Sequence, residues 1–276
     1  NPNRTNATLA MSGTYTVTVT ANGCVSTSSV VVTVNNAPTA TASSNSPVCT
    51  GQTINLSAVT VAGATYSWSG PGGYSSSLQN PNRPNATTAM AGTYTLTVNN
   101  GCTATGTTVV TVNTTPTVVA NTTSSAVCVG NGVTLSGSGA STYTWDNSVT
   151  NAVSFIPVST LTYTVTGTAI NGCVDTDQIT ISVNSLPTVV ANATDADLCT
   201  GENVTLTGSG ALSYAWDNGI TNGLSFIPTS TITYTVTGTD VNSCQNTDQI
   251  TVSVNPLPTV VAAASVNPVC EGNSTI

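Results

Sequence analysis

Tyr234-Thr235-Val236-Thr237 and Ile250-Thr251-Val252-Ser253-Val254 alternate apolar and hydroxyl side chains one for one. Successive side chains on an extended backbone point to opposite faces, so a period of two describes a strand with one buried and one solvated face. Thr, Val, Ile and Tyr fill these runs, as pleated structure prefers, and no stretch keeps a helical spacing for more than about one turn. Short strands confined to segments of seventy-odd residues must cover their apolar faces with a second sheet. The expected fold class is all-β: antiparallel sandwiches of about seven short strands each.

The same pattern recurs along the chain, punctuated by Pro38, Pro116, Pro187 and Pro258, each followed by Thr. Whole repeats are expected at 38–113, 116–184 and 187–255. Residues 1–36 match only the C-terminal half of a repeat, since Asn1-Pro-Asn-Arg-Thr-Asn-Ala-Thr8 parallels Asn80-Pro-Asn-Arg-Pro-Asn-Ala-Thr87. Residues 258–276 match only the N-terminal half. The chain therefore reads as a window on a longer tandem array, and any function must be one that repetition serves.

Composition removes several classes of function. Lysine and histidine are absent, the net charge is −8, and charged residues make up 4% of the chain, against about 25% in a typical domain. Nucleic acid is excluded as a partner, because there is no basic stripe to neutralise phosphates. Catalysis through a Ser-His-Asp, Cys-His or lysine-base arrangement has no residues to work with. No apolar run is long enough for a membrane helix.

Each whole repeat carries one tryptophan, Trp68, Trp145 or Trp216, with Leu56, Leu135 or Leu206 ten to twelve residues before it. A tyrosine follows, Tyr94, Tyr163 or Tyr234, with Leu96, Val165 or Val236 two positions on. This resembles the immunoglobulin pattern of B-strand anchor, C-strand Trp and F-strand Tyr, with aliphatics where the two core cysteines would be. Further motifs are Cys-x-Gly-x-x-Val/Ile-x-Leu at 49–56, 128–135 and 199–206, Trp68-Ser-Gly-Pro-Gly-Gly-Tyr74, and Asn-Gly-Cys after the F strand. With these the chain resembles the Ig-like, PKD-like tandem repeats of large secreted surface proteins and gliding-motility adhesins of Bacteroidetes-type bacteria. That resemblance implies export and service as a stalk or adhesive fibre. The alternative is a set of spacer or carbohydrate-binding modules attached to a secreted polysaccharide-degrading enzyme.

Eight cysteines stand in two series: Cys49, Cys128, Cys199 and Cys270 before the B strand, and Cys24, Cys102, Cys173 and Cys244 at the tip of the F–G hairpin. Cysteines so placed in small modules point to disulfides and an extracellular or cell-surface location. Within a repeat, the two sites lie at opposite poles, about 26 Å apart for an eight-residue strand, whereas a disulfide needs Cα atoms within about 7 Å. End-to-end stacking brings the A–B pole of one repeat to the F–G pole of the next, which favours Cys49–Cys173 and Cys128–Cys244. Pairing within repeats, Cys49–Cys102, Cys128–Cys173 and Cys199–Cys244, and pairing of consecutive cysteines such as Cys102–Cys128 stay open.

The remaining candidates are few. Asp146 and Asp217 each follow a tryptophan and read as turn formers rather than as a glycosidase pair. Asp175, Asp177, Asp195 and Asp197 place hard oxygens near the repeat poles, where calcium is a candidate cofactor. A surface so poor in charge needs another source of solubility, and O-linked glycans at outward Thr233, Thr235 and Thr251 would supply it. Tyr74, in its glycine-rich loop, is a lid over the sandwich end or a glycan contact. The expected partners are neighbouring repeats and other copies of the chain in a fibre, including completion of 1–36 by the 258–276 half repeat of another chain.

Overall fold

The structure is a computed structural model and describes residues 3–263 and 271–272. It divides into two compact units. One holds the chain up to Val119 together with Ser138–Tyr143 and Thr166–Asp177; the other holds Ala120–Gly137, Thr144–Val165 and the chain from Gln178 onward. Segment 116–184 thus contributes to both.

The first unit opens with a hairpin, Gly13–Ala21 paired with Cys24–Val32, in which Ala21 faces Cys24 across Asn22-Gly23. Both turn residues have positive φ, 51° and 81°, the backbone sense that matches strand twist in a two-residue turn. Every residue of both strands is exposed.

A sandwich follows it. One sheet runs Ala42–Ser44, Ile54–Ala58, Asn82–Arg83; the other runs Thr103–Val110, Gly92–Asn99, Thr65–Gly70, Tyr74–Ser76. These orders, A-B-E against G-F-C with an added edge strand, make the fold immunoglobulin-like. Ile54, Trp68, Tyr94, Leu96 and Val98 fill the space between the sheets and are fully buried. No disulfide crosses this core, so apolar packing around Trp68 holds the two layers together. The Tyr94 hydroxyl donates to the Met90 carbonyl at 2.9 Å, the corner bond that pins the start of the F strand. Tyr15 repeats the bond to Met11 at 2.8 Å.

The second unit contains a sandwich of seven strands. Val190–Ala193, Val204–Ser209 and Ser225–Phe226 form one sheet, and Asp197–Cys199, Gln245–Asn255, Ile232–Thr239 and Ser213–Trp216 form the other. Val204, Leu206, Trp216, Tyr234, Val236 and Val252 make its core. The indole of Trp216 donates to Asn222 Oδ1 at 3.0 Å, and the Gly208 amide donates to the same oxygen at 2.7 Å. Trp145, Gly137 and Asn151 repeat the arrangement. One asparagine carbonyl thereby satisfies two buried-side donors, so the tryptophan can be covered without an unpaired N–H.

The outward faces carry hydroxyls in cross-strand pairs: Thr233 with Thr251 at 2.8 Å, Thr162 with Thr180 at 2.7 Å, and Thr16 with Ser29 at 2.8 Å. Alternation has sent Tyr234 and Val236 inward and these hydroxyls outward. Leu206 is fully buried in the second unit's core, in the cluster with Val204, Trp216 and Val236. Leu206→Ala is expected to destabilise that sandwich by about 2–5 kcal/mol, measured as a lower urea midpoint for its unfolding transition; a change under about 1 kcal/mol would show that the site is not packed as described.

Candidate functional site

The cysteines are placed by an edge strand and a hairpin tip. In the first unit, Val48–Cys49 runs parallel to Val112–Asn113, with Cys49 opposite Asn113. The Thr50 amide donates to the Asn113 carbonyl at 2.8 Å, and the Cys49 amide donates to Gln52 Oε1 at 2.8 Å. Gly51, at φ 84°, turns the chain away into the next strand, a conformation that a side chain resists. Cys49 therefore sits at the end of a pinned strand rather than on a free loop.

Its partner comes from a tight hairpin tip. Asn171 Oδ1 accepts from the Cys173 amide at 3.0 Å, while Asn171 Nδ2 donates to the Thr114 carbonyl at 3.2 Å. The Asp175 carboxylate accepts from the Val118 amide at 3.4 Å. The tip is thus tied to the segment that follows Asn113, and Cys173 Sγ lies 3.9 Å from the Asn113 carbonyl oxygen. Cys49 and Cys173 form a disulfide with Cα atoms 5.8 Å apart, and Cys173 is fully buried.

The second unit builds the same device. Cys128 lies opposite Asn184 in a parallel pair, with the Val129 amide donating to the Asn184 carbonyl at 2.9 Å. Asp240 Oδ1 accepts from the amides of Asn242 and Cys244, both at 2.8 Å, and so replaces asparagine as organiser of the tip. Ser243 takes the left-handed position, φ 64°, that glycine holds elsewhere. Asn246 Nδ2 donates to the Pro187 carbonyl at 3.0 Å, and Asp248 accepts from the Ala191 amide at 2.8 Å. Cys128 and Cys244 form a disulfide with Cα atoms 5.6 Å apart.

Cys24, Cys102 and Cys199 are free thiols, and neither Cys49–Cys102 nor Cys199–Cys244 is formed. Cys199 keeps the edge-strand register, opposite Asn255. Cys270 lies outside the described residues, as does most of 258–276.

The other candidates hold backbone rather than surround a ligand. Asp146 and Asp217 accept from the amides of Thr164 and Thr235, at 3.0 and 3.1 Å. Asp195 accepts from the Asp197 amide at 3.0 Å, and Asp197 accepts from Asn255 Nδ2 at 3.4 Å. Asp177 sits half-buried on the strand Val174–Asn184. Among the described residues, no three His, Cys, Asp or Glu side chains are grouped to hold a metal ion. Thr233 and Thr251 are exposed, and Thr235 accepts from Gln249 Nε2 at 3.0 Å. Tyr74 is half-buried edge-on against Tyr94, with the Arg83 guanidinium 5.0 Å from its ring. Trp68, Trp145, Trp216, Tyr94, Tyr163 and Tyr234 are all buried. Asn113, Asn184 and Gln52 escaped the sequence reading; the recurring Val-Asn before each linker was the signal for the first two.

Two electrostatic consequences follow. Burial, and then the nearby Asp146 or Asp217 carboxylate, pushes the Tyr163 and Tyr234 hydroxyls above their ordinary value. The backbone amides of Ala191 and then Gln249 hold Asp248 below the usual carboxylate range, against a smaller opposing effect of desolvation.

No family model and no curated protein matches the sequence. Among solved structures, immunoglobulin domains 1–5 of Sidekick-1 align over 91% of this chain and 67% of theirs, at 14% identity and a TM-score of 0.28. The full ectodomain (Ig1–Ig3) of mouse nectin-like molecule 4 aligns over 78% and 99%, at 14% identity and 0.34. A Ca2+-stabilized adhesin with which an Antarctic bacterium reaches out and binds ice aligns over 83% and 76%, at 16% identity and 0.34.

Chymotryptic mapping without reduction is expected to return Cys49–Cys173 and Cys128–Cys244 peptides; a Cys49–Cys102 peptide contradicts the geometry above. Asp248, with its lowered value, contributes stability that is present above the ordinary carboxylate pKa of about 3.9 and is lost as pH falls through the lowered one. Asp248→Asn is therefore expected to flatten the fall of Tm below about pH 4, and an unchanged acid limb would show that the carboxylate charge is idle.

Proposed function

We propose that this chain is a tension-bearing stretch of an extracellular fibre or adhesin stalk, in which a disulfide ties each Ig-like repeat to the next. The repeats are those at 38–113, 116–184 and 187–255. The observation that carries the reading is the interleaving of the two bonds: Cys128 lies between Cys49 and Cys173, and Cys173 lies between Cys128 and Cys244. Bonds nested inside single repeats would shorten each module and leave every linker a single polypeptide. Interleaved bonds double the covalent connection across the linkers themselves.

The mechanical effect is large. Between Cys49 and Cys244, the shortest covalent route crosses one disulfide, runs back over the 45 residues from Cys173 to Cys128, and crosses the other. At about 3.4 Å per residue that route spans roughly 150 Å, where an unbridged chain of 195 residues would reach roughly 650 Å. Forced unfolding of a module then releases little length, which suits a tether and has no use in a compact enzyme. The engagement of Asp146 and Asp217 with backbone amides supports the same non-catalytic reading.

An extracellular setting agrees with the bonds, since the cytosol keeps such cysteines reduced. The Cys-x-Gly and Trp-Ser-Gly-Pro-Gly-Gly-Tyr motifs support placing the chain among surface proteins of Bacteroidetes-type bacteria. O-linked glycans on exposed Thr233 and Thr251, and on Thr235, belong to the same proposal. Their attachment replaces the Thr233–Thr251 hydroxyl pair as the means of hydrating a surface poor in charge.

Pulling the oxidised chain by its ends tests the reading. The fully unfolded length between the attachment points is expected to grow by roughly 500 Å on reduction. Cys128→Ser alone is expected to lengthen the oxidised route, because load must then pass through the 71 residues from Cys173 to Cys244. Equal lengths before and after reduction would overturn the proposal.

A further inference from the structure

The two staples share a backbone plan but not their surroundings. In the first, the Thr50 and Thr115 hydroxyls lie 3.2 Å apart, and the Thr115 amide donates to Thr50 Oγ1 at 3.1 Å. These bonds tie the residue after Cys49 to the linker that follows Asn113, and so strap the chain beside the disulfide. In the second unit, Val129 follows Cys128 and Leu186 stands two residues after Asn184, the places that Thr50 and Thr115 hold. The backbone bond survives, from the Val129 amide to the Asn184 carbonyl at 2.9 Å. Neither side chain can make the strap, and both remain in contact with solvent, Val129 50% and Leu186 39% exposed.

Where the strap is missing, a cleft opens. It holds about 310 Å³ and is lined by Cys128, Val129, Asn131, Leu186, Ser243 and Gln245. Both sides of the bond contribute to it: Cys128 and its neighbours come from the edge strand, and Ser243 and Gln245 flank Cys244 at the hairpin tip. Cys244 itself is fully buried, whereas Cys128 is half-buried and forms part of the wall. A molecule entering from solvent therefore meets Cys128 rather than Cys244.

Charge limits what can enter. The Asp240 carboxylate is held at the tip by the amides of Asn242 and Cys244, both at 2.8 Å. Its counterpart in the first staple is Ala169, and the neutral Asn171 organises that tip instead. Arg4 and Arg83, the only basic residues of the sequence, both lie in the first unit. No cation in the second unit offsets the Asp240 charge, so an anionic molecule is repelled and a neutral or cationic one is admitted.

We propose that the cleft beside Cys128–Cys244 is a thiol-exchange site for a neutral or cationic low-molecular-weight thiol, through which this bond is opened and remade while the strapped Cys49–Cys173 bond stays closed. The thiol ionises and its sulfur attacks Cys128 Sγ. A new S–S bond joins the small molecule to Cys128, the Cys128–Cys244 bond breaks, and the electron pair leaves on Cys244 Sγ, which takes up the proton. A second thiol then displaces Cys128 from the mixed disulfide. Both protein sulfurs end as thiols, and the two small thiols end joined as their disulfide. The reverse sequence, begun by that small disulfide, remakes the staple. The site stands on the geometry of the second unit, and its mechanical consequence rests on the stapled-stalk reading above. With Cys128–Cys244 open, the covalent route from Cys49 to Cys244 lengthens from 45 to 71 residues. One junction is thus adjustable and the other fixed.

The test uses the whole oxidised 276-residue chain in buffer of low ionic strength without denaturant. The protein is treated with cysteamine or with mercaptopropionate at equal thiolate concentration, quenched with acid over a time course, alkylated and mapped with chymotrypsin. Cysteamine is expected to open Cys128–Cys244 at least about fivefold faster than Cys49–Cys173, the factor that one hydrogen bond of the strap supplies, and to leave its mixed disulfide on Cys128. The anionic mercaptopropionate is expected to react more slowly at the same bond, and Asp240→Asn, which keeps the acceptor oxygen, to narrow that difference. Val129→Thr with Leu186→Thr is expected to slow opening of Cys128–Cys244, and Thr50→Val with Thr115→Leu to speed opening of Cys49–Cys173, each roughly fivefold. The comparison of the two bonds in the unmutated chain needs no variant, so it decides the matter even where a variant fails to fold. Equal rates for the two bonds overturn the proposal, as do adducts on Cys244, faster reaction with the anion, or opening only at urea concentrations that unfold the second unit. Those outcomes leave the stalk reading standing, since both bonds are present at the start. Oxidised starting material that lacks either bond overturns the stalk reading as well.

Discussion

The parallel pairing of a two- or three-residue edge strand with the end of the last strand is the interaction on which the site depends. It sets Cys49 opposite Asn113, Cys128 opposite Asn184 and Cys199 opposite Asn255. Few hydrogen bonds hold so short a pair, yet each edge strand also seats an apolar residue, Val48, Val127 or Leu198, in the buried set. Anchoring of that residue against the core fixes the register, and a parallel register slip of one residue would turn the cysteine to the wrong face. The chemistry of the staple is thus positioned by hydrophobic packing rather than by the sulfur atoms.

A second economy follows from moving the disulfide out of the core. Immunoglobulin domains that bridge their two sheets covalently need the cysteines at two core positions. Here Leu56 and Leu96, or Leu206 and Val236, occupy the equivalent positions and are fully or almost fully buried. Packing around a single tryptophan keeps the layers together, which frees the cysteines for connections that packing cannot make. Each bond joins an edge strand to a hairpin tip 124 or 116 residues further along the chain. Such a bond is worth about 2–4 kcal/mol, and more in principle for longer closed loops.

The all-β class was legible because alternation is a local property. Tyr234, Val236 and Val252 turn inward and Thr233, Thr235 and Thr251 outward for the same steric reason wherever a pleated strand meets a packed neighbour. The Trp and Tyr spacing pointed to the immunoglobulin-like order, which the sheet order bears out. Less visible was the polar support. Asn151 and Asn222 complete the hydrogen bonding of the tryptophans from a loop whose path no periodicity describes. Asp240 and Gln52 act as organisers only because turns bring their oxygens onto backbone amides. A residue of that kind has no signature apart from the turn it stabilises.

The amino-acid sequence by itself determined the strand faces, the repeat and the two cysteine series, since each follows from neighbours within a few residues or from simple recurrence. It left three ways to pair those cysteines. Tertiary structure decided between them, because a disulfide is a condition on distance: Cα atoms 5.8 and 5.6 Å apart across separations of 124 and 116 residues. Chain distance carries no information about such proximity. Only the docking of a hairpin tip against the linker beyond Asn113 or Asn184, through bonds such as Asn171 to Thr114 and Asn246 to Pro187, brings the sulfur atoms together.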